Sequence, residues 1–337
     1  MVLHQNISLF PYNTFKINVN VQCLAIIKTE EDIREAIGLT RFRSLPRFVL
    51  GGGSNILLTG NQRKFFMKNE IKGIKIIFEN QDEAIVEVGA GELWHQLVLW
   101  SLERNLGGLE NLSLIHGCVG AAPIQNIGAY GTELRDVFHS LDAYLIKTGE
   151  LVSFTSFECK FGYRDSIFKK SNQKYFISKV RLRLSKKHIF NTSYGQIEQT
   201  MEEMKVEKIS IRAISDAVIK IRQSKIPDPS MIGNAGSFFK NPIIDKSHFE
   251  ALILIYPDMP SFLLNKNSVK VPAAYLIERC GWKGKKRGLV GVHERQPLVL
   301  INLGGGTGKD LQKLGEDIRQ SVFRTFGIQL KYEVNLV

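Results

Sequence analysis

The N-terminal half of the chain alternates short apolar runs with polar or glycine-rich turns, a pattern typical of β-strands. Strands are predicted at Arg47–Leu50, Ile56–Leu58, Gly73–Phe78, Ala84–Val88, Ala143–Ile146, Leu151–Phe154 and Tyr175–Leu184. The Thr148-Gly149 turn predicts that two of these strands form a hairpin. Leu93, Leu97 and Trp100 recur at helical spacing, so this half also contains a helix.

Helical periodicity is more frequent in the C-terminal half. One apolar stripe consists of Ile211, Ile214, Val218 and Ile221, and the turn Ile226–Pro229 ends that helix. Further helices are predicted at Ser247–Tyr256, from Pro272 onward, and at Lys309–Phe326 with Gly327 as its C-cap. Because the strands Pro297–Leu303 and Ile328–Leu336 flank the last helix, we predict a β-α-β unit.

These patterns predict an α+β protein with two lobes that meet near Lys186–Ser210. A length of 337 residues agrees with two domains, since a domain averages roughly 150 residues. Hydrophobic residues make up 44% and charged residues 23% of the chain, which excludes a disordered or collagen-like protein.

The chain is basic, with a formal net charge of +12 and a pI near 9.4. A basic surface attracts nucleic acids, anionic membranes or small phosphorylated ligands. No apolar run approaches the roughly 20 residues of a membrane helix, and the first 14 residues lack the pattern of a secretory signal. The cysteines (Cys23, Cys118, Cys159 and Cys280) have no CxxC spacing, so we expect no metal site and a reduced, cytoplasmic location.

Several short motifs fail their templates. The run Gly304–Lys309 resembles a P-loop, but Leu303 and Asp310 occupy the positions that need Gly and Ser or Thr. None of the glycine clusters has the third glycine of a dinucleotide-binding Rossmann turn. The basic stretch Arg279–Arg287 leaves two readings open, a solvated loop or an anion-binding site.

Three loops do carry a chemical signal. In Leu50–Ile56 and Gly117–Gly131, small neutral residues would let backbone N–H groups approach a flat, extended ligand, and together they suit a dinucleotide held by main-chain contacts. Tight structural turns are the alternative for either loop. In Gly233–Pro242, Ser237 is either a hydroxyl at the floor of a pocket or an ordinary turn serine.

Four motifs occur in an order that resembles one enzyme family. They are Pro123–Gly131 (PIQNIGAYG), Phe161–Ser166 (FGYRDS), Gly233–Pro242 (GNAGSFFKNP) and Tyr332–Val334 (YEV). Together they resemble the UDP-N-acetylenolpyruvoylglucosamine reductases, flavoenzymes of bacterial peptidoglycan precursor synthesis, from Asn13 to Glu333. Four motifs spread over about 210 residues make the resemblance specific.

The resemblance implies an FAD-binding domain of the vanillyl-alcohol-oxidase (PCMH) type and a smaller α+β substrate-binding domain. We place the FAD-binding domain at residues 1–187, with α+β subdomains at about 1–68 and 69–187. Residues 188–224 would connect the domains, residues 225–327 would bind substrate, and residues 328–337 would return as a strand toward the active site. The Tyr194-Gly195 loop matches the subclass that closes a tyrosine over the substrate.

The resemblance also implies the reaction. NADPH would reduce a non-covalently bound FAD, and hydride would then pass to C3 of the enolpyruvyl group of UDP-N-acetylglucosamine enolpyruvate, giving UDP-N-acetylmuramate. The expected partners are these small molecules, with no nucleic acid or membrane and a monomeric chain. Since all of these ligands are polyanions, the basic charge would need no nucleic-acid partner.

Matching positions assign three catalytic residues. Arg164 would bind the substrate carboxylate with its planar fork, and Ser237 would protonate C2. A serine hydroxyl is a poor acid, but an enolate is a strong base, so geometry would matter more than acidity. Glu333 would be protonated or share a proton during turnover, because an ionised carboxylate would repel the intermediate.

The same matching assigns binding residues. Substrate contacts are assigned to Tyr130, Tyr194, Lys225, Asn241, Lys283 and Gln296. FAD contacts are assigned to Gly51, Gly52, Gly53, Ser54, Asn55, Gly117, Gly120, Ala121, Ala122, Gln125, Asn126 and Gly128. The chain departs from the family at His116, where Pro is frequent, at Ala121-Ala122, which replace hydroxyl residues, and at Asn335, which replaces an arginine.

Two rival functions remain. Another flavin oxidase of the same fold would carry covalently attached FAD, for which His116 and Cys118 are the nearby candidates. A basic nucleic-acid-binding protein would be colourless and would bind DNA or RNA with a steep dependence on salt.

Overall fold

The computed structural model describes residues 1–171, 173–194 and 196–337, and its contacts group the chain into two units. The first unit comprises Met1–Ile7, Asn20–Gly53 and Gln62–Gln223, and the second comprises Ser8–Val19, Ser54–Asn61 and Ser224–Val337. Two short N-terminal segments therefore group with the C-terminal third of the chain. The functional boundaries given above stay predictions.

Strands and helices are numbered along the chain. The strands are β1 Val2–Ser8, β2 Asn20–Ile27, β3 Arg47–Leu50, β4 Ile56–Leu57, β5 Gln62–Asn69, β6 Ile74–Glu79, β7 Glu83–Gly89, β8 Gly128–Ala129, β9 Thr132–Glu133, β10 Phe138–Leu145, β11 Leu151–Thr155, β12 Tyr175–Ser185, β13 Gly233–Ser237, β14 Ile243–Asp245, β15 Phe262–Asn265, β16 Ser268–Lys270, β17 Lys286–Arg287, β18 Val290–Val292, β19 Val299–Asn302 and β20 Asn335–Leu336. The helices are α1 Glu30–Gly38, α2 Trp94–Glu103, α3 Ser156–Cys159, α4 Ile167–Lys170, α5 Ile197–Glu203, α6 Ile211–Lys225, α7 Lys246–Ile253, α8 Ala273–Arg279 and α9 Gly308–Phe326.

The first unit contains a four-stranded sheet in the order β1-β2-β5-β3, in which β2, β5 and β3 run parallel. The nearly continuous apolar run of β2 is typical of a parallel strand that is covered on both faces. Helix α1 packs Ile33 and Ala36 into the core of this sheet. A capping box between Thr29 and Asp32 begins the helix.

A five-stranded sheet in the order β11-β10-β12-β7-β6 completes the first unit. Its pairings are antiparallel, and the β10-β11 hairpin confirms the predicted turn at Thr148-Gly149. Helix α2 covers the sheet and buries Trp94, whose indole N–H donates to the Leu112 carbonyl at 3.0 Å. The apolar stripe of α6 is also confirmed, because Ile214, Val218 and Ile221 pack against α5.

The second unit contains a four-stranded sheet in the order β13-β19-β18-β17 and a three-stranded sheet in the order β14-β16-β15. Its long helix α9 begins with a capping box between Thr307 and Asp310. The helix ends at Gly327, which adopts the left-handed conformation (φ +67°) that an L side chain disfavours. The helix begins one residue before the predicted Lys309, its predicted end and its Gly327 cap are confirmed, and the two units confirm the α+β class.

The predicted β-α-β unit is wrong. Of the predicted strand Ile328–Leu336 only β20 forms, and it runs parallel to β4 instead of joining the sheet of β19. The residues before it make a single bridge, between Tyr332 and Phe239. Leu330 and Val334 are buried, so the apolar pattern of this segment reflects burial of an irregular chain.

Cations of the basic stretch Arg279–Arg287 have partners within the second unit. Arg279 pairs with Asp258, Lys283 with Glu278 and Arg287 with Asp317. Lys285 and Arg287 also lie over the ring of Trp282. Most of these cations therefore have an acid or an aromatic ring as partner, and binding of an anion by this stretch stays a prediction.

Candidate active site

Loop packing explains the glycine clusters of the first unit. A Cβ atom added to Gly52 would lie 2.9 Å from the Cα atom of Gly117, and one added to Gly120 would lie 2.5 Å from the Cβ atom of Ala90. The Gly120 N–H donates to the Ala90 carbonyl at 2.8 Å. The predicted cofactor loops are therefore in direct contact, and side chains here would force them apart.

Gly120 belongs to a 3-10 turn, Val119–Ile124, that also contains Ala121 and the buried Ala122. Next to it, the Asn126 side chain is completely buried. Its amide donates to Glu133 at 2.9 Å and to the Gly162 carbonyl, and its oxygen accepts from the Arg135 N–H. Since these bonds use the whole amide group, Asn126 fixes the turn, and any contact it makes with a cofactor would come from its backbone.

Arg164 lies in a tight turn that joins Gly162 and Asp165 through two backbone hydrogen bonds. Its φ of +52° is in the left-handed region, which is costly for a side chain other than glycine. Its guanidinium donates to the Gly128 carbonyl at 2.6 Å. Ser166 then caps α4 and donates to the Ile124 carbonyl at 2.7 Å, so the motif is anchored on the second glycine-rich loop.

Tyr130 and Tyr194 lie on either side of Gly131. A Cβ atom on Gly131 would be 3.2 Å from the Cβ of Tyr194, and the Tyr130 carbonyl accepts from Asn111 at 2.9 Å. Burial raises the pKa of the Tyr130 phenol. Tyr194 is 38% exposed, and its predicted neighbour Gly195 lies outside the described residues.

Arg222 is a site residue that the sequence analysis missed. Its Nε donates to the Leu114 carbonyl at 3.2 Å, three residues before Gly117. Burial and the nearby Arg164 lower the pKa of this guanidinium, while Tyr130 acts in the opposite direction. No carboxylate pairs with Arg222 among the residues that the structure describes. A desolvated cation of this kind would be stabilised by an anionic ligand.

His95 lies near both His116 and Arg222. Burial, His116 and Arg222 all lower the pKa of His95, whose Nδ1 accepts from the Leu114 N–H. The His116 departure therefore adds a titratable group to a region that already contains arginines. Sequence alone gave no signal for Arg222, because one arginine on an amphipathic helix is most often a surface residue.

In the second unit, backbone pairing brings Ser237 and Glu333 to neighbouring positions. The Glu333 N–H donates to the Phe238 carbonyl at 2.9 Å, and the Lys240 N–H donates to the Lys331 carbonyl at 2.9 Å. On its other side, the Phe238 N–H donates to the Leu298 carbonyl at 2.8 Å. Ser237 thus lies at the end of β13, between two chain segments, and both predicted catalytic side chains are half-buried.

The C-terminal segment is also held on its far side. Asn335 donates through its backbone and its side chain to the Asn55 carbonyl, at 3.1 and 2.9 Å. The Asn55 side chain donates in turn to the Glu333 carbonyl at 3.4 Å. Asn335, the departure from the family arginine, therefore provides a structural contact at this position, and Asn55 contributes to placing Glu333.

The predicted substrate contacts of the second unit differ in what they do in the structure. Burial lowers the pKa of Lys225 at the end of α6. The Asn241 oxygen accepts from the Ala273 N–H at 3.0 Å and so satisfies the start of α8. Lys283 pairs with Glu278 at 2.7 Å. Gln296 lies two residues before Leu298, and its carbonyl accepts from the N–H of Val299, the residue that pairs with Ser237.

The P-loop-like run lines a cavity of about 950 Å³ inside the second unit, together with Lys16 and Asn61. Here the Asp310 carboxylate accepts from the Thr307 N–H at 2.9 Å at the start of α9. This carboxylate therefore already caps the N-terminus of the helix, where a bound phosphate would need the same backbone N–H groups.

Across residues 1–171, 173–194 and 196–337, no cluster of three or more His, Cys, Asp or Glu side chains is arranged to hold a metal ion. In the same residues, no helix combines the length and the apolar character needed to span a membrane.

The cysteines are free, and three of them are buried. Burial raises the pKa of Cys23 to about 11 and that of Cys159 to about 12. Burial also raises the pKa of Cys118, which follows Gly117. A neutral thiol is a poor nucleophile, so Cys118 is badly suited to attach a cofactor covalently.

Comparisons with known proteins agree with this arrangement. A family model described as "UDP-N-acetylenolpyruvoylglucosamine reductase, C-terminal domain" matches residues 228–337, and one described as "FAD binding domain" matches residues 21–155. The UDP-N-acetylenolpyruvoylglucosamine reductase of Pseudomonas aeruginosa is 46% identical over 99% of this chain and 98% of its own length. That of Amoebophilus asiaticus is 47% identical over 100% of both chains.

Solved structures show a shared fold. The UDP-N-acetylenolpyruvylglucosamine reductase (MurB) of Thermus caldophilus covers 100% of this chain and 99% of its own, with a TM-score of 0.70 and 23% identity. The 6-hydroxy-D-nicotine oxidase of Arthrobacter nicotinovorans covers 97% of this chain and 86% of its own, with a TM-score of 0.50 and 10% identity.

Proposed function

This chain belongs to the UDP-N-acetylenolpyruvoylglucosamine reductase family, and from that membership we propose which of its residues carry the reaction. The chain is an FAD-dependent oxidoreductase that uses NADPH to convert UDP-N-acetylglucosamine enolpyruvate into UDP-N-acetylmuramate during peptidoglycan synthesis. The family confirms the resemblance, the enzyme class and the cofactors stated in the sequence analysis. The roles of individual residues remain our proposal.

The residues of the first unit fit FAD. A Cβ atom on Gly52 would lie 2.9 Å from the Gly117 Cα, so the two glycine-rich loops are in contact, and residues 117–131 contain no charged side chain. Gly51–Gly53, Gly117–Gly128 and Arg222 would hold the cofactor, the last by its positive charge. When bound, FAD supplies the hydride carrier between NADPH and the enolpyruvyl group. The raised pKa of Cys118 supports non-covalent binding, and acid precipitation should therefore release free FAD.

The proposed chemistry of this chain begins with Arg164. Hydride addition at C3 places negative charge on C2 and on the adjacent carboxylate. The Arg164 guanidinium donates to the Gly128 carbonyl, and we propose that the same planar guanidinium binds the substrate carboxylate. The left-handed turn and the Ser166 bond fix this side chain in advance, so little reorganisation is needed when charge develops.

Ser237 then donates its hydroxyl proton to C2, and Glu333 lies at the neighbouring backbone position. The observation that carries this proposal is the Glu333-to-Phe238 hydrogen bond of 2.9 Å, which holds the two residues together within one unit. Glu333 would be protonated or share its proton during turnover, since an ionised carboxylate would raise the energy of the intermediate. Lys225 and Tyr194 would contact the diphosphate, and Asn241, Tyr130, Lys283 and Gln296 complete the proposed substrate contacts.

Ser237→Ala tests the proton donor. We expect NADPH to reduce the variant's flavin at the normal rate, while UDP-N-acetylglucosamine enolpyruvate fails to reoxidise it under anaerobic conditions. Ser247→Ala is the control, because Ser247 is an exposed serine of the same unit. Normal reoxidation in the Ser237 variant would remove this role.

We further propose a cytoplasmic monomer, in agreement with the free cysteines and with NADPH as donor. The rival oxidase would retain covalent flavin after acid precipitation. A nucleic-acid-binding protein would be colourless after purification.

A further inference from the structure

A cluster on α9 touches the segment that ends at Glu333. Arg319 follows Gly315 by four residues and Glu316 by three, so its side chain can contact the positions of both on the helix surface. A Cβ atom on Gly315 would lie 2.7 Å from Phe238 Cε1 and 3.3 Å from Tyr332 Cε1. The helix therefore approaches the residue after Ser237 and the residue before Glu333 at the same place.

Arg319 and Glu316 form hydrogen bonds with the residues on both sides of Lys331. The Arg319 Nε donates to the Leu330 carbonyl at 2.9 Å, and its Nη1 pairs with Glu316 at 2.6 Å. The Tyr332 hydroxyl donates to the same Glu316 carboxylate at 3.3 Å. The Arg319 guanidinium also covers the Tyr332 ring, 5.0 Å from its centroid. Residues 330 and 332 are thus held by one arginine-carboxylate pair.

The other face of Tyr332 packs on the Ser237 side. Its ring is stacked on Phe239 with an interplanar angle of 25° and meets Phe238 edge-on at 86°. Phe15 packs edge-on against Phe238 in turn. The rings of Phe238, Phe239 and Tyr332 therefore connect α9 to the two backbone segments that carry Ser237 and Glu333.

We propose that Arg319, Glu316 and Tyr332 form a positioning group that sets the distance and direction between the Ser237 hydroxyl and the Glu333 carboxyl. This inference rests on the proposed roles of those two residues. The group touches neither substrate nor cofactor in this proposal. It acts by fixing residues 330–333 against residues 238–240.

The Arg319–Glu316 pair should affect the reaction rate more than it affects the free energy of unfolding. The side chains of Arg319 and Glu316 are 25% and 44% exposed, and such a pair contributes little to folding. A displacement of about 1 Å at a reacting group, however, can lower the rate about 100-fold. Loss of the pair should therefore change proton delivery far more than it changes the denaturation midpoint.

Arg319→Gln removes the charge that holds Glu316 and shortens the side chain. We expect flavin reduction by NADPH to stay within about twofold of normal, and flavin reoxidation by UDP-N-acetylglucosamine enolpyruvate to slow about 10- to 100-fold. Arg319→Lys should recover part of the rate, because it restores the pairing with Glu316. Arg324→Gln, an exposed arginine on the same helix, is the matched control and should leave both half-reactions unchanged.

The outcomes separate the inference from the function on which it rests. Slow reoxidation with normal reduction, partly rescued by Arg319→Lys, supports positioning. Equal slowing of both half-reactions, or normal rates in Arg319→Gln, overturns it. If Ser237→Ala also reoxidises normally, the proposed proton donor is wrong. If only the Arg319 variant behaves normally, the proton donor stands and the positioning group is wrong.

Discussion

Gly120→Ala tests whether close loop packing builds the cofactor site. The new Cβ atom would lie 2.5 Å from the Ala90 Cβ and 3.1 Å from the Ala90 oxygen. Carbon atoms pack at about 3.5–4.0 Å, so the overlap is about 1 Å. Both Cβ atoms are fixed to backbone, and Ala90 is fully buried. Neither can rotate away, so we expect a loss of about 2–3 kcal/mol in unfolding free energy, the upper part of the range for overpacking.

The double variant Gly120→Ala/Ala90→Gly makes the test specific. Removing the Ala90 Cβ leaves the Ala90 oxygen, at 3.1 Å, as the nearest atom, so most of the overlap disappears. We expect the changes in unfolding free energy to be non-additive by at least about 1 kcal/mol. The double variant should be more stable than the sum of the two single changes predicts.

The assay is urea denaturation of each variant with and without added FAD, together with the FAD retained after dialysis. Gly38→Ala is the control, because a Cβ atom there meets nothing within 4 Å and alanine favours a helix. Additive effects, or a Gly120→Ala variant as stable and as yellow as the control, would refute the packing argument.

Two further predictions follow from charged groups. Arg222→Gln should raise the dissociation constant for FAD or for the UDP-substrate about tenfold, since it removes a desolvated cation. Arg212→Gln, on the exposed face of the same helix, is the control and should change neither dissociation constant. Titration of both variants with both ligands is the measurement, and normal affinities in the Arg222 variant would make Arg222 structural. Asp142→Asn should lower unfolding free energy at pH 7 by about 1–3 kcal/mol. Burial tends to raise the pKa of Asp142, but hydrogen bonds from Arg181 and Ser153 outweigh it and lower the pKa. Its stabilisation is therefore present above the ordinary carboxyl pKa of about 3.9 and lost as the pH falls further, so the difference from the unmodified chain should shrink in acid; a constant difference in pH-dependent denaturation would contradict this origin.

Local signals predicted the elements that local interactions define. Helix α9 has a start at Thr307 and Asp310 and a glycine end, and all of these can be seen in a few consecutive residues. Strand β3 was predicted with its observed bounds, because its apolar run is delimited by Pro46 and Gly51. The Ser237 and Glu333 motifs were found by resemblance, and the structure brings them to adjacent backbone positions.

Long-range partners were not predictable from the sequence. Residues 328–336 have a strand-like pattern, yet their burial depends on α9 and on residues 55–57. Arg222 has no sequence signal, because only the fold shows that no carboxylate of residues 1–171, 173–194 and 196–337 pairs with it. In the same way, Asn126 looked like an available amide until its three internal bonds were known.

The pairing of β20 with β4 has a consequence for biosynthesis and for dissection of the molecule. Asn335 bonds to Asn55 across 280 positions, so the second unit cannot be completed until Asn335 itself has left the ribosome. A fragment that begins at Ser224 would lack β4 and also Phe15, which packs on Phe238. A single proteolytic cut therefore cannot yield this unit intact, and a separable version would need the two early segments to be supplied as peptides or relocated by circular permutation.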